Sequence, residues 1–195
     1  KDLVAFVSGK KAFTEAFESL QATPDTPSTP EIWMLGSSMD SAIYAGQFGL
    51  AFSFAHFISP ESASPVMHRY RREFQSEHLE SAHSSIGVFA IATDDPQKVD
   101  LFRRVREIQR LRRDRGIRGP MPTLEEAAAY EFTEEEENRL AGARSRQIIG
   151  TQDAVKTAID SLIEETAANE VVILTITPSF EDRVRSYELI ADAYS

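Results

Sequence analysis

The chain has 195 residues, with 21 basic against 31 acidic side chains and a formal net charge of −10. A nucleic-acid partner, which usually shows as a basic face, is therefore not expected. The chain has no cysteine, which excludes disulfides, thiolate catalysis and cysteine-ligated metals and fits a cytoplasmic location. No apolar run approaches the roughly 20 residues of a membrane-spanning helix, so no membrane association is expected.

The first residue, Lys1, is not an initiator methionine, and the residues after it already read as the inside of a helix. We therefore expect the chain to belong to something longer, and no signal peptide is expected. A helical apolar pattern covers 1–22, interrupted at Ser8-Gly9. A proline-rich connector at 23–30 follows, which cannot continue a helix.

Beyond the connector, apolar strands and amphipathic helices are predicted in alternation. Four continuous apolar stretches predict strands at 31–36, 50–57, 86–92 and 170–177. Helices are predicted at 39–48, 60–75, 96–115, 123–146 (an acidic stretch), 152–167 and 180–194. Continuous apolar strands, each followed by a helix, predict an α/β fold with a parallel sheet covered by helices. The pattern allows half of a (β/α)₈ barrel or a small open sheet.

A turn of small residues joins the first strand to its helix. Gly36, Ser37 and Ser38 form this turn, and Ser41 follows within the first helical turn. Free backbone N–H groups and the positive end of the helix dipole suit a phosphate at such a position. The alternative is that Ser37 or Ser38 is simply the N-cap of the helix.

The second strand ends at His56, where the active-site residues of a barrel lie. A lone histidine after an apolar strand is either functional there or a satisfied histidine of the core. The remaining histidines, His68, His78 and His83, have no ligand spacing, so no metal site is predicted.

The predicted helix 96–115 and the loop after it are rich in arginine. We interpret this run as a solvated helix face paired with the acidic segment 125–137, with anion binding as the alternative. The arginines are Arg103, Arg104, Arg106, Arg110, Arg112, Arg113, Arg115 and Arg118.

Five ordered motifs resemble those of the bacterial luciferase-like monooxygenases, a flavin-dependent family of (β/α)₈ barrels. The closest resemblance is to the subgroup of luciferase family oxidoreductases, and it extends over essentially all 195 residues. Ala51 and Gln152 stand where the family pattern has proline. The motifs lie at 30–42 (PEIWMLGSSMDSA), 49–57 (GLAFSFAHF), 68–74 (HRYRREF), 148–155 (IIGTQDAV) and 183–191 (RVRSYELIA).

The resemblance implies that residues 1–195 are a single partial domain, the C-terminal half of a TIM barrel with strands five to eight. It implies that a cofactor phosphate is held at Gly36, Ser37, Ser38 and Ser41, and that His56 lies beside the flavin ring. His56 is a candidate, but the catalytic residues stay unknown, because the family's usual catalytic histidine lies in the missing half. Residues 114–124 are a possible hinge of a lid.

The function implied is a flavin-dependent monooxygenase that uses reduced FMN and O₂ on a small organic, aldehyde-like substrate. Reduced FMN would come from a separate flavin reductase. Open sheet edges would be covered by self-association, as a homo-oligomer, or by the missing N-terminal half. Two alternatives are a non-catalytic, truncated flavin-binding or structural relative and an oxidoreductase dependent on the deazaflavin F420.

Overall fold

The computed structural model describes residues 1–20, 23, 28–144 and 147–195, without the side chains of 142–144. Part of the predicted connector, 24–27, lies outside the described residues. The strands are β1 (Trp33–Gly36), β2 (Ala51–Ala55), β3 (Ser84–Ala92), β4 (Ile148–Gly150) and β5 (Glu170–Leu174). The helices are α1 (Asp2–Val7), α2 (Met39–Gln47), α3 (Ala63–Glu73), α4 (Pro96–Asp114), α5 (Leu124–Ala129), α6 (Glu134–Arg144), α7 (Gln152–Thr166) and α8 (Phe180–Asp192).

The sheet is parallel at every strand pair of the described residues. β1 pairs with β2, β2 pairs with β3, and β3 pairs with both β4 and β5. In this register Gly36 lies opposite Phe54, and Phe54 lies opposite Ile86. Four strands thus neighbour one another in chain order, without the reversal of a doubly wound sheet. The predicted parallel α/β sheet is confirmed, whereas the three-residue β4 was not predicted.

One face of the sheet is covered by α2, α3, α7 and α8. Phe52 and Phe54 of β2 and Ile86 and Val88 of β3 are fully buried there. These side chains pack against a cluster from the helices that contains Ala42, Ala45, Val66, Met67, Tyr70 and Leu162. Burial of this apolar surface is the main stabilisation of the fold.

The opposite face is covered only in part by described residues. Phe89 and Ile91 pack there against Phe102 of α4. Leu35, by contrast, is 68% exposed and Val172 is 54% exposed. Large apolar side chains of a sheet are rarely left open to this extent, so this face has room for a further covering layer.

Two predicted helices differ from the structure. The predicted interruption of the 1–22 pattern at Ser8-Gly9 is confirmed, because α1 ends at Val7. A helix beyond it is wrong for the described residues 10–20, since Asp2 accepts hydrogen bonds from the backbone N–H groups of Phe13 and Thr14 and the chain folds back. A short 3₁₀ turn, Glu15–Phe17, follows. Residues 21 and 22 lie outside the described part.

The acidic stretch 123–146 is not one helix, and its last two residues lie outside the described part. Thr123 and Thr133 each hydrogen-bond with the glutamate three positions later, which begins α5 and then α6. The repeated Thr-x-x-Glu pattern is the signal that could have predicted this division.

Candidate functional site

The turn between β1 and α2 is closed by contact between Gly36 and Ser41. A Cβ atom on Gly36 would lie 2.2 Å from Ser41 Oγ and 2.4 Å from Ser41 Cβ. Any larger residue would therefore displace Ser41, whose own Cβ is fixed by the helix. Glycine at this position lets the Ser41 side chain fold back against the end of the strand.

Ser38 and Ser41 form a capping box at the start of α2. Ser38 Oγ accepts a hydrogen bond from the Ser41 backbone N–H, and Ser41 Oγ accepts one from the Ser38 N–H, both at 3.3 Å. Ser41 Oγ also donates to the Ser38 carbonyl oxygen at 2.7 Å. The interpretation of Ser38 as an N-cap is confirmed. Phosphate binding at these residues stays a prediction.

The same turn leaves donors free. The backbone N–H groups of Met39 and Asp40, the first two residues of α2, have no partner among the described residues. Ser37 is half-buried, and its hydroxyl likewise contacts no described partner. Two amides at the positive end of a nine-residue helix and an adjacent hydroxyl fit an anionic oxygen such as that of a phosphate.

His56 follows the end of β2, one strand from this turn, and is only 9% exposed. Its side chain borders a cavity of about 340 Å³ together with Glu61 and, from α7, Leu162 and Glu165. It therefore faces the helix-covered side of the sheet. Burial lowers the pKa of His56, and the charges of Glu61 and Glu165 oppose that shift. A place beside a flavin ring stays a prediction.

A second cavity, of about 350 Å³, lies beneath α4 at the carboxyl ends of the strands. Phe57 from the segment after β2, Phe89 of β3 and Leu174 of β5 supply apolar walls. Arg106 and Arg110 line the same space, together with Arg113. This cavity was not predicted from the sequence. The signal was available, because these arginines stand at i, i+4 and i+7 and so share one helix face.

The guanidinium of Arg106 stacks on Phe89, 3.8 Å from the ring centroid. It donates to Gln109 Oε1 at 3.0 Å. Burial lowers the pKa of Arg106, and the nearby positive charge of Arg113 lowers it further. The carboxylate that reaches this cavity, that of Asp114, is paired with Arg139 at 3.3 Å.

The other arginines of α4 have structural partners. Arg103 donates to the carbonyl oxygen of Ile149 at 2.8 Å, and Arg104 donates to the carbonyl oxygens of Ala127 and Tyr130. Pairing with the acidic segment is confirmed for Arg115, whose guanidinium lies 2.6 Å from Glu136 Oε1. Arg104 thus contacts the acidic segment through backbone carbonyls rather than through carboxylates, whereas for Arg103 the predicted pairing is wrong, since it bonds with Ile149 of β4.

The predicted hinge region begins at the last residue of α4 and contains Gly116, which has a φ of +71°. Its movement as a lid stays a prediction. Across the described ranges, no group of three or more His, Asp or Glu side chains is arranged to hold a metal ion. No helix in the described part of the chain combines the length and apolar character needed to cross a membrane.

No protein-family model matches the chain. The uncharacterized protein YwcH of Bacillus subtilis is 30% identical over 100% of this chain and 59% of its own length. The N-acetyl-S-alkylcysteine monooxygenase of Bacillus subtilis is 28% identical over 99% of this chain and 58% of its own length. A luciferase-like monooxygenase of Escherichia coli is 27% identical over 83% of this chain and 48% of its own length. The chain thus spans about half the length of these relatives.

Solved structures share the fold. Apo-MsnO8 superposes with a TM-score of 0.82 at 24% identity, over 92% of this chain and 55% of its own. A riboflavin lyase, solved with modified FMN and riboflavin, gives 0.54 at 14% identity, over 88% and 44%. An F420-dependent secondary alcohol dehydrogenase gives 0.50 at 12% identity, over 95% and 54%. The resemblance to the luciferase-like monooxygenase family is thus confirmed by two monooxygenase relatives that align along 83–99% of this chain.

Proposed function

We propose that the chain is part of a flavin-dependent monooxygenase that uses reduced FMN and O₂ on a small organic, aldehyde-like substrate. The observation that carries the proposal is the β1–α2 turn, where the amides of Met39 and Asp40 are free at a helix start. Family membership supports it, as does a relative named for monooxygenation of an N-acetyl-S-alkylcysteine. A separate flavin reductase would supply the reduced cofactor.

In this proposal the FMN phosphate binds at the turn. The amides of Met39 and Asp40 and the hydroxyl of Ser37 donate to phosphate oxygens. Ser38 and Ser41 act mainly by fixing the turn, since their hydroxyls already bond within the capping box. Bound FMN supplies the redox chemistry, and this chain's residues orient it and exclude water. Placement of His56 near the flavin ring is part of the proposal.

We also propose that the sheet is the C-terminal half of a (β/α)₈ barrel. The parallel strands that follow chain order support this, because a barrel has no switch point. Among the described strands, β1, β4 and β5 each have one neighbour, and apolar side chains on the partly covered face are exposed. Further strands from the missing half, or a second copy of the chain, would pair with these edges.

Two alternatives have their own support. A non-catalytic flavin-binding relative is supported by the same β1–α2 turn, because phosphate binding there requires no catalysis. An F420-dependent oxidoreductase is favoured by the shared fold of the F420-dependent secondary alcohol dehydrogenase. The phosphate turn suits either cofactor, so cofactor titration must distinguish them.

The experiment is a titration of the 195-residue chain with FMN, reduced FMN and F420, followed by single-turnover oxidation of octanal with reduced FMN and O₂. We expect saturable FMN binding and formation of octanoic acid. Ser37→Ala should weaken FMN binding about tenfold, whereas Ser81→Ala, at an exposed serine far along the chain, should not. FMN binding without product supports the non-catalytic alternative, and tighter binding of F420 than of FMN supports the F420-dependent alternative. No saturable flavin binding contradicts all of these functions.

A further inference from the structure

The cavity beneath α4 combines positive charge with apolar walls. Arg106, Arg110 and Arg113 line its helix side, and Phe57 and Leu174 line its sheet side. It lies at the carboxyl ends of the strands, the end where ligands of parallel α/β folds bind. This position is one strand away from the phosphate turn, because β2 follows β1 in the sheet.

Within the described part of the chain, no carboxylate is paired with the three arginines of this cavity. Arg110 and Arg113 make no hydrogen bond or ion pair with any described residue. Arg106 bonds only with the neutral amide of Gln109, and Asp114 is already paired with Arg139. Like charges held on one helix face repel each other. A bound anion would remove that repulsion and make charge-assisted hydrogen bonds.

The walls opposite the arginines favour an organic anion over a bare inorganic one. Phe57 is 51% exposed although it lies against the cavity, and Leu174 is also exposed. An aliphatic or aromatic group placed there would remove their apolar surface from water. A volume of about 350 Å³ is near the small end of ligand pockets, so the ligand is small.

One further polar atom lacks a partner. The side-chain oxygen Oε1 of Gln147 is buried and accepts no hydrogen bond among the described residues. Gln147 lines the same cavity. An N–H or O–H group on the ligand would satisfy this acceptor, whose isolation otherwise costs free energy.

We infer that the aldehyde-like substrate also carries a carboxylate and that this cavity binds it there, with the arginines on the carboxylate and the apolar walls on the rest of the molecule. This inference rests on the proposed function, because it names the substrate class of that reaction. Arg106 and Arg110 are then specificity-determining residues. The FMN phosphate, which shares the anionic chemistry, binds instead at the turn before α2.

The test is isothermal titration calorimetry of the 195-residue chain with hexanoate, 1-hexanol and inorganic phosphate. We expect hexanoate to bind at least tenfold more tightly than 1-hexanol or phosphate. Arg110→Gln should weaken hexanoate binding about tenfold, because one charge-assisted contact is lost. Arg112→Gln is the matched control on the same helix. It lies outside the cavity and should leave hexanoate binding unchanged.

Equal binding of hexanoate and 1-hexanol, or equal effects of the two variants, would overturn the inference. Phosphate binding as tightly as hexanoate would overturn it as well, since the apolar walls would then contribute nothing. FMN that displaces hexanoate, with an affinity lowered by Arg110→Gln, would assign the cavity to the cofactor. Hexanoate binding needs no flavin, so a chain that binds hexanoate as expected but not FMN contradicts only the proposed function.

Discussion

The two proposed anion sites at the carboxyl end of the sheet differ in the source of their positive charge. The β1–α2 turn has no cationic side chain, and its positive potential comes from free amides and the helix dipole. In the cavity beneath α4, the positive charge comes instead from three guanidinium groups. In the turn, Ser38 and Ser41 already satisfy each other. In the cavity, Arg110 and Arg113 lack any described partner.

The difference separates a region built to be rigid from one built to respond to a ligand. A turn whose hydroxyls are internally bonded keeps its shape with or without a phosphate, which is preorganisation. Unpaired guanidinium groups gain their interactions only when an anion arrives. Substitutions of the internally bonded turn residues should therefore lower stability, and substitutions of Arg110 or Arg113 in the cavity should lower affinity without lowering stability.

The largest expected effect is that of Gly36→Ala. The new Cβ would lie 2.4 Å from Ser41 Cβ, which cannot move without moving α2. We expect a loss of about 2–3 kcal/mol in the free energy of unfolding, the usual scale of overpacking. Urea denaturation measures it. Gly119→Ala, where no atom lies within 4 Å of the added carbon, is the control and should cause no loss. A Gly36→Ala protein as stable as the unmodified chain would show that the turn is not rigid.

The next effect compares two arginines of α4. Arg104 donates to the carbonyl oxygens of Ala127 and Tyr130, and its guanidinium lies 5.0 Å from the centroid of the Phe132 ring. We expect Arg104→Gln to cost about 2 kcal/mol of unfolding free energy, since hydrogen bonds from a charged donor are lost. Arg110→Gln should change it by less than about 0.5 kcal/mol. Equal losses in urea denaturation would contradict the division of the helix into structural and ligand-facing arginines.

Most of the fold could be predicted because its signals are local. Continuous apolar runs gave the strands that became β1, β2, β3 and β5, and the alternation with helices gave their parallel arrangement. The strand β4 was missed because three residues carry no periodicity. Beyond the predicted interruption at Ser8-Gly9 the helical pattern of 1–22 did not continue, because the side-chain bonds of Asp2 to residues eleven and twelve positions away override helix propensity.

The two regions of the site differ in predictability for the same reason. The turn is contiguous in sequence, so the residue types of Gly36, Ser38 and Ser41 identified it directly. The cavity brings together Phe89 of β3, Leu174 of β5 and Phe57 from the segment after β2, which only the sheet register joins. The arginine run was interpreted as a solvated face because spacing alone does not say which side of α4 meets the sheet.

A smaller effect distinguishes capping from ligand binding within the turn. Ser38→Ala removes the N-cap hydroxyl, and we expect a loss of about 1 kcal/mol in the free energy of unfolding. Ser37→Ala should leave that free energy unchanged within about 0.5 kcal/mol, because Ser37 has no described partner. The proposed phosphate contact predicts that Ser37→Ala instead weakens FMN binding. If Ser37→Ala lowered the free energy of unfolding and Ser38→Ala weakened FMN binding instead, the capping and phosphate-binding roles of the two serines would be exchanged.

The smallest effect concerns His56, which lies on the helix-covered side of the sheet. Burial lowers its pKa, so the unfolded chain, with an ordinary value near 6.5, binds the proton more readily than the folded one. Stability therefore falls as the pH drops below about 6.5, through the interval down to the lowered value. Urea denaturation at pH 7 and pH 5 should show a smaller fall for His56→Gln than for the unmodified chain. His78→Gln, at an exposed histidine, should keep the original fall. If His56→Gln also keeps it, the acid sensitivity arises elsewhere and His56 is not held neutral by its surroundings.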